Sequence, residues 1–175
     1  MKTIQLKPNQ IITLNDYPLY SNKVLEEYFY KCQLGQDLPF VPVIEKKIVK
    51  KYLDSDLLKI LKEFEIINPE AKYFMLNGSH RTTASTLTGK KITVAVFQND
   101  KDIIEAKQLI PIGQIRKDDV DNHTLIENCE ILKKYFQEKP YFMTVEQKTK
   151  KLIKENKIPS HIIDYFNNIS IIHNS

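Results

Sequence analysis

The sequence predicts an α+β protein, with a small mixed sheet and packed helices over roughly the first 100 residues and a helical extension after them. Between Tyr73 and Phe97 a strand, a glycine turn, a short helix and another strand follow one another. This order is typical of a crossover unit with helices on a sheet. Beyond residue 100 the apolar residues recur at helical spacing. We therefore divide the chain into a sheet-bearing domain, residues 1–105, and a helical extension, residues 106–175.

Turn residues and apolar periodicity divide the first 72 residues into elements. A short strand at residues 4–6 is followed by a turn at residues 15–18. Apolar residues that recur every three or four positions predict a helix next. Ser21 or Asn22 caps its start, and Gly35 ends it. The strand at residues 40–44 contains Pro42, which suits a sheet edge or the start of a strand. Asp54 or Ser55 opens a second helix.

The extension contains four helical patterns. The first runs from residue 100 to 109 and the second from residue 121 to 136. Thr144 and Gln147 form a capping box at the start of the third, and Pro159 precedes the fourth. The last two helices are interpreted as a pair that closes the domain. A helix-turn-helix over residues 144–166 is the alternative interpretation.

Composition and charge exclude several classes of protein. Hydrophobic residues make up 42% of the chain, enough for a packed core, and no apolar run is long enough to cross a bilayer. We therefore expect a cytoplasmic protein without membrane partners. Cys32 and Cys129 are expected to be buried thiols in a reducing compartment. The histidines lack the spacing of metal ligands, so no protein-bound metal is expected.

The basic excess is small and almost entirely lysine. The net charge of +4 arises in the first 99 residues, and only Arg81 and Arg116 are arginine. A mild lysine excess usually reflects a solvated surface, and the extension is electrically neutral. DNA is therefore expected to bind only weakly. The pairs Lys46-Lys47 and Lys50-Lys51 are interpreted as a solvated hairpin rather than an anion site.

The turn at residues 77–83 carries the clearest chemistry. A strand ends, a glycine allows an unusual backbone conformation, and a helix begins whose first N–H groups lack partners in the helix. The helix dipole adds partial positive charge, so this end favours an anion, and an arginine and several hydroxyls add donors. The alternative is an ordinary helix cap. The candidate ligand-binding residues are Asn77, Gly78, Ser79, His80, Arg81, Thr82 and Thr83.

The segment YFMLNGSHRTTASTLTGKKITVAVF, residues 73–97, resembles the central motif of the ParB/sulfiredoxin superfamily. In that family a strand leads to a glycine, a variable residue and His-Arg or Arg-Arg, then to a small-residue helix, a glycine and a strand. Residues 23–44 are similar to the family's first helix, glycine turn and proline-preceded strand. The resemblance covers roughly residues 3–99. It implies a ParB/sulfiredoxin-like fold with ATP, ADP or CTP on the turn, usually with Mg²⁺.

Three departures from the family pattern limit what the resemblance implies. Ser79 stands where sulfiredoxins carry a reactive cysteine, so thiol chemistry there is excluded. Asn77 replaces the aspartate of the members that phosphorylate free serine, and an amide cannot act as a base. Glu27 matches the helix position of their catalytic glutamate and is the candidate catalytic residue. No arginine precedes the first helix, unlike in partition proteins.

The leading prediction is a nucleotide-binding protein, with hydrolysis or phosphoryl transfer to a small-molecule acceptor as its candidate activities. Two alternatives stay open. The first is a DNA-associated partition or regulatory protein that uses a nucleotide as a switch. The second is a degenerate member of the family that keeps the fold as an interaction module. Fold alone does not choose between them, and the sequence does not specify the base or the oligomeric state.

Overall fold

The computed structural model describes residues 1–15, 21–120 and 122–174, with side chains up to residue 170. In these ranges it has a five-stranded sheet, with strands β1 (Lys2–Leu6), β2 (Ile11–Ile12), β3 (Val41–Glu45), β4 (Tyr73–Met75) and β5 (Ile92–Val96). Most of the predicted turn at residues 15–18 lies outside the described residues. The predicted helix start at residue 121 lies outside them as well. The described helices are α1 (Asn22–Gln33), α2 (Lys46–Val49), α3 (Ser55–Ile67), α4 (Ser79–Leu87), α5 (Asp100–Lys107), α6 (Leu125–Glu138), α7 (Val145–Lys154) and α8 (Ser160–Asn174).

Helix starts follow the caps expected from the sequence. Ser21 accepts a hydrogen bond from the Val24 N–H at the start of α1, and Asp54 does the same for α3. Thr144 and Gln147 form the predicted capping box of α7. Each cap satisfies an N–H group that the first turn of a helix leaves without a partner. The helices and the five-stranded sheet together confirm the prediction of an α+β protein with a mixed sheet.

The strand order is β1-β5-β3-β4-β2. The expected crossover between β4 and β5 is wrong, because they lie on opposite sides of β3. β4 is antiparallel to β3, whereas β5 is parallel to it, so β4 and β5 run in opposite directions. α4 therefore connects two strands that are not neighbours, and the parallel neighbour of β4 is β2.

Pro42 lies near the start of β3, but β3 is the central strand and not an edge. The carbonyl of Pro42 accepts a hydrogen bond from the Leu76 N–H at 2.9 Å. The ring nitrogen of Pro42 has no hydrogen to donate to β4. The ladder with β4 ends here, since Met75 is the last residue of that strand. A central strand tolerates this proline because its missing donor falls where the neighbouring strand stops.

Both faces of the sheet bury apolar side chains. On one face Ile44, Phe74 and Phe97 share a cluster with α3, α5 and α6. On the other face Val43, Met75 and Val96 pack together with Val145 of α7. A third cluster joins α1 and α4 to α7 and α8. Residues on either side of position 105 therefore contribute to the same clusters.

The extension also bonds to the sheet directly. Thr144 forms a β-bridge with Ile12 of β2, and the Thr13 N–H donates to the Met143 carbonyl at 3.0 Å. Ile158 and Ile162 are buried against α1 and α4. These contacts fit a helix pair that closes the domain. Within the described ranges, no helix is long and apolar enough to cross a membrane.

Candidate functional site

The candidate site begins where β4 ends and α4 starts. Gly78 has φ 110° and ψ 32°, a left-handed conformation that glycine adopts without the cost of a Cβ. A Cβ there would lie 3.2 Å from a Val41 methyl and 3.3 Å from Arg81 Nη2. The left-handed backbone conformation therefore favours glycine at this position, and a larger residue would also crowd Val41 and Arg81.

The first turn of α4 is placed to offer donors. The Thr82 N–H donates to the Gly78 carbonyl at 2.9 Å, so the N–H groups of Ser79 and Arg81 come before the helical ladder. Gly78 offers no side-chain cap. Ser79 is 6% exposed, and its buried Oγ has no hydrogen-bond partner among the described residues. An uncapped helix start with a spare hydroxyl is suited to an anion.

Arg81 points into the protein. Its guanidinium forms a bidentate pair with Asp119, with Nη2 2.6 Å from Oδ1 and Nη1 3.0 Å from Oδ2. Nη1 also donates to the Phe40 carbonyl at 2.7 Å. The two side chains are 3% and 0% exposed. The guanidinium therefore braces the turn from within.

Asp119 receives two further hydrogen bonds. Asn77 Nδ2 donates to Oδ1 at 2.8 Å, and the Arg116 backbone N–H donates to Oδ2 at 3.0 Å. Each carboxylate oxygen therefore accepts two donors. Asp119 joins the turn before α4 to the segment that leads into α6. An amide at position 77 fits this arrangement, because an aspartate would place a second carboxylate against Asp119.

The threonines after Arg81 are turned inward. Thr82 Oγ1 donates to the Gly78 and Ser79 carbonyls at 3.0 and 3.1 Å, so this hydroxyl reinforces the turn. Thr83 is 3% exposed. Of the candidate hydroxyls, that of Ser79 is the buried one without a hydrogen-bond partner among the described residues.

The surroundings of His80 are positively charged. Burial lowers the pKa of His80, and the nearby charges of Arg116, Lys148 and Arg81 lower it further. The imidazole is therefore neutral at pH 7 and acts through hydrogen bonding rather than charge. The cationic groups that oppose its protonation also favour an anion at the start of α4.

Arg116 differs from Arg81 in its exposure. Its side chain is 43% exposed and lies 3.6 Å from the exposed carboxylate of Asp118. Nη1 donates to the Tyr28 hydroxyl at 2.9 Å. Arg116 is thus the arginine near His80 that can turn toward a ligand. The sequence alone did not identify Arg116 as a residue of this site.

Glu27 lies on the exposed side of α1. Leu25 and Phe29 of that helix pack in the cluster that contains Ala84 of α4, whereas Glu27 stays in solvent. No contact in the described part of the chain brings Glu27 to the turn. Its catalytic role stays a prediction.

A cavity of about 370 Å³ runs beside α4. Arg81, Ser85 and Cys32 line it, with Lys90 and Lys91 among its other residues. Burial raises the pKa of the Cys32 thiol, although hydrogen bonds with Thr88 and Ser85 oppose this. Cys32 and Cys129 are both free and buried, as expected.

Comparison with known proteins adds no relative. No protein-family model, curated protein or solved structure matches the chain. The likeness to the ParB/sulfiredoxin superfamily therefore stays a resemblance, carried by residues 23–44 and 73–97. Within the described ranges, no three His, Cys, Asp or Glu side chains are grouped to hold a metal ion.

Proposed function

We propose that this protein binds the phosphates of a nucleotide, ATP, ADP or CTP, at the start of α4. The observation that carries the proposal is the uncapped first turn, with the buried hydroxyl of Ser79 left without a partner. Free N–H groups and a positive helix end bind phosphate well. The resemblance to ParB/sulfiredoxin proteins supplies the nucleotide as the phosphate carrier, and the composition and the two buried cysteines favour the cytoplasm as the compartment.

The two arginines have different roles in this proposal. Arg81 is held by Asp119 and the Phe40 carbonyl, so it shapes the turn without leaving its own partners. Arg116 is partly exposed and acts on His80 electrostatically, so it supplies the charge that meets the phosphates. An arginine fork suits phosphate oxygens in this way.

Magnesium, which the resemblance implies, does not fit Asp119. Both oxygens of that carboxylate already accept two hydrogen bonds each. Mg²⁺ in nucleotide sites needs one or two carboxylates that are able to coordinate it, together with phosphate oxygens. We therefore assign no step to a metal held by Asp119.

Hydrolysis or phosphoryl transfer to a small acceptor is the catalytic form of the proposal. Asn77 cannot take a proton, and it is bound to Asp119. A general base must lie within hydrogen-bond reach of its proton, and Glu27 is exposed on α1. Nucleotide binding without rapid turnover is the form that these contacts favour.

Ser79→Ala is expected to weaken nucleotide binding about tenfold or more, because it removes one charge-assisted contact with phosphate. Its folding stability should not fall, since the lost hydroxyl has no partner in the part of the chain that the structure describes and alanine favours a helix. Calorimetric titration with ATP, ADP and CTP measures the affinity, and thermal unfolding measures the stability.

Thr86→Ala is the matched control in the same helix. Its hydroxyl donates to the Thr82 carbonyl at 2.8 Å, about two turns from the site. Its nucleotide affinity should equal that of the wild type. Equal affinities for the Ser79→Ala variant and the wild type would contradict the proposed site. Absence of any nucleotide binding would leave the interaction module as the better proposal.

The DNA-associated alternative rests on lysines of α7. Lys150, Lys151 and Lys154 are exposed, but Lys150 lies 3.4 Å from Glu146 of the same helix. We expect binding to random duplex DNA to be weaker than about 1 μM at physiological salt. Fluorescence anisotropy with competitor DNA measures this. Tighter binding that survives competition would favour the DNA-associated function.

A further inference from the structure

A second cavity, of about 420 Å³, lies at the opposite end of β3 from Val41. It is a half-open cavity lined by the end of β3, by α2 and the turn after it, by α3 and by the start of β4. We call it the lysine cavity. Its charged lining residues are Lys46, Lys47, Lys50, Lys72, Glu45 and Glu65. None of them belongs to the turn at residues 77–83.

Lys46 is the buried member of the lysine cavity, only 6% exposed. Its Nζ donates to the Ala71 carbonyl at 2.6 Å and lies 2.8 Å from Glu65 Oε2. An ammonium group has three N–H donors. The third has no acceptor among the residues that the structure describes. A buried cation is stabilised when its remaining donor also finds a partner.

The charges of the lysine cavity do not balance. Glu65 Oε2 lies 2.8 Å from both Lys46 and Lys50. Burial raises the pKa of Glu65, but hydrogen bonds from both lysines outweigh it and the pKa is lowered, so the carboxylate is ionised at pH 7. Glu45 accepts from Gln98 at 2.9 Å and pairs with Lys47 at 3.2 Å.

The four lysines thus share two carboxylates, which leaves a net charge of +2. Lys72 is exposed and has no ion pair within the described ranges. A concave surface with a net charge of one sign concentrates ions of the other sign. A ligand with two negative charges would neutralise the cavity and give Lys46 its third acceptor.

We propose that the lysine cavity binds a small divalent oxyanion, with Lys46 at its base and Lys50 and Lys72 at its rim. A volume of about 420 Å³ lies within the size range of small-ligand pockets. The shared chemistry is that of free phosphate and of a phosphate monoester. The proposal is independent of nucleotide binding at α4.

The test is an NMR titration of the full chain, labelled with ¹⁵N, at constant ionic strength. Sodium phosphate and glucose 6-phosphate are compared with sodium chloride. The proposal expects saturable shifts of the Lys46, Lys72 and Tyr73 amides with phosphate and not with chloride. Saturation by glucose 6-phosphate at lower concentration would identify the ligand as a monoester, and equal or weaker binding would identify it as free phosphate.

Lys50→Gln/Lys72→Gln should weaken phosphate binding about tenfold or more. Lys59→Gln/Lys101→Gln is the control, because it removes the same charge from exposed positions outside the cavity. Equal weakening by the two double variants would show general screening and overturn the proposal. Shifts restricted to Ser79–Thr82 would overturn it as well, while supporting an anion at α4.

Discussion

Arg81→Ala is expected to lower the free energy of unfolding by about 3–5 kcal/mol, because it leaves a buried carboxylate without its cation. The Asp119 side chain is 0% exposed, so water cannot replace the guanidinium without opening the structure. The Phe40 carbonyl also loses its donor. Urea unfolding of the variant and the wild type measures the difference.

Arg81→Met/Asp119→Asn is the control for this prediction. It removes both charges and keeps an amide oxygen for the Arg116 N–H, so its loss should be about 1–2 kcal/mol. The double variant should also bind nucleotide like the wild type if Arg81 only braces the turn. A single variant as stable as the double variant would show that the pair is not buried as described. Lost binding in a folded double variant would assign Arg81 to the phosphates.

Phe136→Ala is also expected to cost about 3–5 kcal/mol. Phe136 is 0% exposed, and its ring lies 5.6 Å from Phe74 and 4.7 Å from Phe142, measured between centroids. The substitution leaves a cavity between α6 and the sheet. Since Phe74 belongs to β4, the loss should destabilise the whole chain in one unfolding transition.

Ile131→Ala in the same helix is the matched control. Ile131 is 49% exposed, so its substitution should change stability by less than about 1 kcal/mol. If the chain unfolded in two separate transitions and Phe136→Ala shifted only one of them, residues 1–105 would be supported as an independently folding domain. One transition would show that the extension completes the core.

Local structure followed the sequence closely. The caps Ser21, Asp54 and Thr144 lie where the sequence predicts them, because a cap bond joins residues only two or three positions apart. The strand, Gly78 and helix of the candidate site are confirmed for the same reason, since a left-handed glycine between a strand and a helix is a local feature.

The exposure of single side chains was less predictable. Leu58 of α3 and Ile126 of α6 are large apolar residues of amphipathic helices, yet they are 36% and 57% exposed. Helical spacing shows which face of a helix is apolar, but it does not show how much of that face neighbouring elements bury. Lys46 shows the opposite case, since a lysine expected in solvent is buried beside Glu65.

The sequence by itself determined the α+β class, the starts of α1, α3 and α7 and the glycine turn, because hydrogen bonds and steric limits over a few residues decide them. The helix predicted from residue 121 begins instead at Leu125, behind its cap Thr124. Tertiary structure alone decided that β3 is central and that Arg81 meets Asp119. A charge partner 38 positions away in the chain depends on which segments the apolar clusters bring together. Burial then strengthens that pair, so the guanidinium that the sequence predicts as a phosphate ligand also braces the turn in the fold.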